Sequence, residues 1–106
     1  MGKLGRDEDA IQEYQAALRI QPDLAAAHQS WANALMREGK IEEAISHYEQ
    51  TVRIKPDYAE AEYNWASALL QMGRVQEAIG HYKEALRIKP DFVEARTALA
   101  RAQGVE

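Results

Sequence analysis

Residues 59–92 read AEAEYNWASALLQMGRVQEAIGHYKEALRIKPDF, and residues 25–58 read AAAHQSWANALMREGKIEEAISHYEQTVRIKPDY. A shift of 34 residues puts Ala27 under Ala61, Trp31 under Trp65, Leu35 under Leu69 and Gly39 under Gly73. Ala44-Ile45 then falls under Ala78-Ile79, His47-Tyr48 under His81-Tyr82, and Ile54-Lys55-Pro56-Asp57 under Ile88-Lys89-Pro90-Asp91. Self-similarity at a period of this size marks stacked supersecondary units, none of which buries its own apolar faces alone.

Each unit holds two helical patterns. Ala61, Trp65, Ala68 and Leu69 recur at i, i+4, i+7 and i+8, one face of a helix. Val75, Ala78, Ile79, Tyr82 and Leu86 do the same in the second half. Gly73 separates them, because glycine takes the left-handed C-cap without a Cβ penalty. Lys89-Pro90-Asp91 ends the second helix, since proline restricts the residue before it and cannot extend the hydrogen-bond ladder. Asp57 with Glu60, and Asp91 with Glu94, have the spacing of a capping box and are expected to start the helices that follow.

Outward from these units the pattern continues in part. Residues 1–24 carry one second-type helix over 7–20, with Ala10, Ile11, Tyr14, Ala17 and Leu18 as its stripe. Glu8 and Asp9 are expected in its first turn and Arg19 in its last, each favourable to the helix dipole. Gly5 lies one period before Gly39, so a turn is expected there, with residues 1–4 ending a first-type helix. Residues 93–106 carry one more first-type helix, with Ala95, Ala98, Leu99 and Ala102 on its face.

Composition mainly excludes. The apolar fraction of 46% and charged fraction of 28% are ordinary for a soluble globular chain of 106 residues. A formal net charge of −4 argues against nucleic acid, which needs a basic patch. Absence of cysteine removes disulfides and thiolate metal sites. No apolar run approaches the ~20 residues of a membrane span, and Met-Gly-Lys-Leu-Gly-Arg is no signal peptide. A soluble, cytoplasmic chain without membrane contact is expected.

The pattern resembles the tetratricopeptide repeat. Trp31, Ala32, Gly39, Ala44, Tyr48 and Pro56 carry the resemblance in one unit, and Trp65, Ala66, Gly73, Ala78, Tyr82, Ala85 and Pro90 in the next. Gly5, Ala10, Tyr14, Ala17 and Pro22 carry it in the leading half-unit. The implied fold is all-α, a right-handed α-solenoid of helix-turn-helix hairpins: a half repeat, two full repeats and a final single helix, five helices in all. Its segments are 1–24, 25–58, 59–92 and 93–106. Alanines 32, 66, 44 and 78 let helices approach, while Trp31, Trp65, Tyr48 and Tyr82 are expected to fill the space between pairs. His28, Glu62 and Arg96 stand where the family often has a large residue, and Trp31 and Trp65 stand for a leucine three positions later.

Catalysis and cofactors find no support in the residues. No second histidine stands at i+3 or i+4 from His47 or His81, so no metal is expected, and both rings are read as lying at helix surfaces beside Tyr48 and Tyr82. Acid pairs such as Glu42-Glu43 lie in first helical turns, and there is no phosphate loop or nucleophile with a base. The chain is expected not to be an enzyme.

The resemblance implies a protein-protein interaction module whose first helices line a concave groove for a peptide or partner helix. On residues 25–38 the side opposite Trp31 carries Ala26, Gln29, Asn33, Met36 and Arg37. Glu60, Tyr63, Asn64, Ser67, Leu70 and Gln71 follow on the next first helix, then Glu94, Thr97 and Arg101 on the last. Repeats that clamp the C-terminal carboxylate of heat-shock chaperones use cations along this groove. Asn33 and Asn64 match their asparagines, whereas Gln29, Glu94 and Ala98 stand where cations are wanted, so an acidic ligand is disfavoured and a basic or mixed one expected. The alternatives are an accessory segment of a larger enzyme such as a glycosyltransferase, or a homo-oligomer through unpaired ends. Ile11, Tyr14 and Leu18 would form one such end, and Ala95 and Leu99 the other.

Overall fold

Every segment with a helical apolar period is a helix in the computed structural model, which describes residues 2–21 and 23–104, with side chains from residue 9 onward. α1 spans Gly2–Ile20, α2 Ala25–Arg37, α3 Ile41–Ile54, α4 Ala59–Gln71, α5 Val75–Ile88 and α6 Val93–Ala102. The described residues contain six helices and no strand. Five is therefore an undercount: a half repeat, two pairs and a final helix already require one more.

The chain divides into Met1–Pro56, which holds α1 to α3, and Asp57–Glu106, which holds α4 to α6. In the first unit α2 lies along α3 and α1 packs on α2. Ala32, Ala34 and Leu35 of α2 and Ala44, Tyr48 and Thr51 of α3 are buried. In the second unit α4 lies along α5, and α6 packs on α5. Ala61, Ala66, Ala68 and Leu69 face Ala78, Tyr82 and Ala85 in the buried set. A further apolar cluster joins Ala59, Ala85, Phe92 and Ala95, with Tyr63, Leu86 and Ile88 against it. Alanine at so many buried positions lets the backbones approach, and one tyrosine per hairpin is its largest fully buried side chain.

Glycine ends the first helix of each pair, as its spacing implies. Gly39 and Gly73 have φ of 80° and 79°. The Gly73 N–H donates to the Leu70 carbonyl at 3.0 Å and the Arg74 N–H to the Leu69 carbonyl at 2.9 Å, the paired bonds of a Schellman cap. Gly39 and Lys40 repeat both bonds on Met36 and Leu35. Gly73→Ala is expected to destabilise by about 1–2 kcal/mol, the strain of a side chain in the left-handed region. Gly80 lies inside α5, and a Cβ there meets nothing within 4 Å. Gly80→Ala is expected to stabilise by about 0.5–1 kcal/mol. Urea midpoints of the two variants should move in opposite directions.

Three local expectations are corrected. α4 and α6 start one residue later than the capping-box reading places them. Their N-caps are Tyr58 and Phe92, without a side-chain cap hydrogen bond. A turn through Pro90-Asp91, closed by the Phe92 N–H on the Lys89 carbonyl at 3.1 Å, sends the Phe92 ring into the core instead. Gly5 lies within α1 rather than at a turn. Extending one ladder through it avoids a second nucleation. The start of α1 at Gly2 consequently leaves Glu8 and Asp9 outside its first turn, which holds no acidic residue, while Arg19 is in its last.

Candidate functional site

Each hairpin is tied across its two helices by an aromatic stack and two polar contacts. In the first, the Trp31 ring lies 4.0 Å from the His47 ring at 28°. In the second, Trp65 lies 3.9 Å from His81 at the same angle. The tryptophans are half-buried and stack inside their own hairpins, and the histidines are half-buried beneath them rather than standing clear at the surface. A flat indole covers a flat imidazole because both lie on the facing edges of antiparallel helices joined by a tight turn.

The polar ties follow the same period. The Tyr48 hydroxyl donates to Asn33 Oδ1 at 2.5 Å, and the Tyr82 hydroxyl meets Ser67 Oγ at 2.9 Å. Burial pushes both phenols above their ordinary range, Arg37 opposing it at Tyr48 and the Ser67 hydrogen bond opposing it at Tyr82. Both therefore remain neutral at physiological pH. The second tie differs between the hairpins: His28 Nδ1 lies 3.1 Å from His47 Nδ1, whereas His81 Nδ1 lies 2.7 Å from Glu62 Oε1. No group of three or more metal-ligating side chains occurs among the described residues.

The expected groove residues sort by exposure. In the first unit Arg37 is exposed, Met36 is half-buried, and Asn33 is engaged with Tyr48. Gln29 is only 6% exposed, so its side chain belongs to the interior and presents nothing to a ligand. A helical period assigns it to the outer side but does not say how far neighbouring helices reach around. In the second unit Glu60 and Gln71 are exposed and Asn64 and Leu70 half-buried, while Ser67 holds Tyr82. Tyr63 packs on Phe92 at 5.1 Å and Tyr82 at 5.8 Å.

Between α4 and α6 a cavity of about 380 Å³ is lined by Tyr63, Val93, Glu94, Thr97, Ala98 and Arg101. It gathers Tyr63, Glu94, Thr97 and Arg101 of the expected residues. Sequence reading missed Val93, which is 60% exposed. Its signal is the period: Val93 follows Ala59 by one repeat, a large apolar residue where the unit before has a small buried one. Of the proposed sticky ends, Ile11, Tyr14, Leu18 and Leu99 are half-buried, but Ala95 is fully covered inside the α5–α6 cluster and offers no free face. No helix of the described residues is long and apolar enough to cross a membrane.

A family model described as "Tetratricopeptide repeat" matches residues 30–93, and a second, "TPR repeat", matches residues 3–39. No curated protein sequence matches the chain. Among solved structures it is similar to the first TPR of Spaghetti (RPAP3) bound to the HSP90 peptide SRMEEVD, at 24% identity and a TM-score of 0.90, covering 96% of this chain and 81% of that one. The NMR structure of the first TPR domain of human RPAP3 gives a TM-score of 0.90 at 24% identity, covering 96% and 80%. The crystal structure of MamA gives 0.89 at 24% identity, and this chain spans 95% of itself but 59% of that protein.

Proposed function

Because the chain belongs to the tetratricopeptide repeat family, we propose that it is a protein-protein interaction module gripping a peptide or partner helix on the outer faces of α4 and α6. The observation that carries the reading is the cavity between α4 and α6. At about 380 Å³ it has room for a large side chain, with an aromatic wall in Tyr63 and an apolar rim in Val93 and Ala98. Such pockets, apolar with a few placed polar groups, are where ligands anchor.

Charge narrows the ligand. The peptide bound by the RPAP3 relative is acidic toward its end. Here Glu60 and Glu94 are exposed on α4 and α6, and Glu94 lines the cavity itself. A segment with an apolar side chain beside Lys or Arg complements this face, and an acidic tail does not.

The test is a random-peptide selection on the intact chain, followed by anisotropy titration of the enriched peptides. Thr97 is exposed and lines the cavity, so Thr97→Trp fills it without entering the core. Affinity is expected to fall at least about tenfold, or 1.4 kcal/mol. Gln76→Trp, on an exposed site of α5, should leave it unchanged. Equal affinity for Thr97→Trp and the unmodified chain would remove the cavity from the binding face.

A further inference from the structure

Two hairpins one period apart carry the same interhelix contact and differ in one residue of it. On α4 the residue is Glu62, 7% exposed, whose Oε1 takes His81 Nδ1 at 2.7 Å. On α2 it is His28, whose Nδ1 lies 3.1 Å from His47 Nδ1. The His28 and His47 ring centroids are 5.3 Å apart, longer than the nitrogen separation by about two ring radii. The two nitrogens therefore point at each other along one line. That is hydrogen-bond geometry, one Nδ1 donating and the other accepting. A chelated metal needs both lone pairs to converge on a third point, which a line does not offer.

Proton counting separates the two contacts. With both rings of the first pair neutral, one is the Nδ1–H tautomer and the other the Nε2–H tautomer, and the bond holds. One added proton goes to Nε2 of the donor ring and leaves the bond in place. The next must go to the accepting Nδ1, and two N–H groups and two positive charges then face each other. A carboxylate has no such limit: Glu62 accepts from Nδ1–H whether or not the ring also carries a proton on Nε2. Trp31 and Trp65 stack alike on their imidazoles, so the indoles do not make the hairpins differ.

We propose that His28–His47 is a proton-operated latch: as pH falls through the imidazole range, α2 and α3 lose this tie, while α4 and α5 keep theirs. The surrounding charges support it. Burial and His28 hold His47 below its ordinary value of 6.5, with Glu43, one turn earlier on α3, opposing. α1 packs on α2 but none of its described side chains acts on His47. A histidine held below its unfolded value contributes stability that is present above that value and lost as pH falls through it. Around His81 stand Glu62, Glu84 and Arg87: the Arg87 hydrogen bond, with a smaller contribution from His81, holds the Glu84 carboxyl down, and the same bond, with a smaller contribution from Glu62, holds the Arg87 guanidinium up.

The experiment is proton NMR of the intact chain, whose three histidines give separable ring signals, with amide exchange recorded at each pH. The His28 and His47 ring signals are expected to shift together with the α2 and α3 amides as the contact opens. Exchange of α2 and α3 amides, corrected for intrinsic rate, should rise about tenfold from roughly pH 7.5 to 5.5 relative to α4 and α5. His28→Glu should abolish that rise, and Glu62→His should impose it on α4 and α5. An equal acid response of the two hairpins, or His28 and His47 ring signals that move with no change in α2 and α3 exchange, overturns the latch. Both readings come from the unmodified chain and decide the matter even where a variant fails to fold.

Discussion

Tyr82→Ala is expected to remove about 3–5 kcal/mol of stability, as truncation of a buried aromatic does. Tyr82 is 1% exposed, lies against Tyr63 at 5.8 Å and holds Ser67 through its hydroxyl at 2.9 Å. The upper end of the range is expected for a specific reason. The other buried positions of its hairpin include Ala61, Ala66, Ala68, Ala78 and Ala85, and an alanine has no rotamer with which to collapse into a hole. Native domains of this length hold about 5–15 kcal/mol in total, so the loss is a large fraction of what exists. Tyr82→Phe separates packing from polarity: it keeps the ring and is expected to lose about 1 kcal/mol with the hydroxyl contact. Urea denaturation followed by circular dichroism measures both. A Tyr82→Ala loss no greater than that of Tyr82→Phe would mean that the ring is not what spaces α4 from α5.

How much of this was readable beforehand depends on the distance over which each feature is decided. The left-handed Gly39 and Gly73 caps are decided within one turn of chain, and the period locates both. So are buried Ala61 and Ala68, and Ala78 and Ala85, each pair seven residues apart on one helix. The N-caps are contested locally: Asp57 and Asp91 have capping chemistry, but Tyr58 and Phe92 gain more from placing a ring toward the core, and tertiary packing takes precedence. Gly5 shows the reverse, a turn signal overridden by a continuous helix. The histidine contacts join residues 19 positions apart on facing helices, and no periodicity within one helix reveals that register. The period nevertheless marks the place, since His28 and Glu62 are the positions where equivalent units disagree beside a shared histidine. Of the proposed wall, Tyr63, Thr97 and Arg101 do come together around one cavity, because consecutive helical turns of α6 present 94, 97 and 101 on one side. Gln29 fails the same rule because burial depends on what lies alongside, which a single helix does not encode.

Leu69→Ala tests the face assignment of α4 directly and is expected to destabilise by about 2–5 kcal/mol. Leu69 is 2% exposed, among the largest fully buried side chains, and stands near the C-terminal end of α4, where the two helices of the hairpin meet at the Gly73 turn. Its own carbonyl receives the Arg74 N–H at 2.9 Å and the Met72 N–H at 3.1 Å, so side-chain packing and cap geometry are fixed at one residue. Loss of the isobutyl group leaves a hole and loosens the turn that starts α5, which puts the effect above the middle of the range. Leu69→Met conserves volume and is expected to lose less than about 1.5 kcal/mol. The informative comparison is Leu70→Ala, the same chemistry one position along and about 100° around the helix. Leu70 is half-buried on the face proposed to hold the ligand. Its truncation is expected to change the urea midpoint far less than Leu69→Ala and to weaken binding of selected peptides instead. If Leu70→Ala unfolds the chain as readily as Leu69→Ala while leaving peptide affinity intact, then α4 turns its second leucine inward, and the outer face of that helix is not where a partner docks.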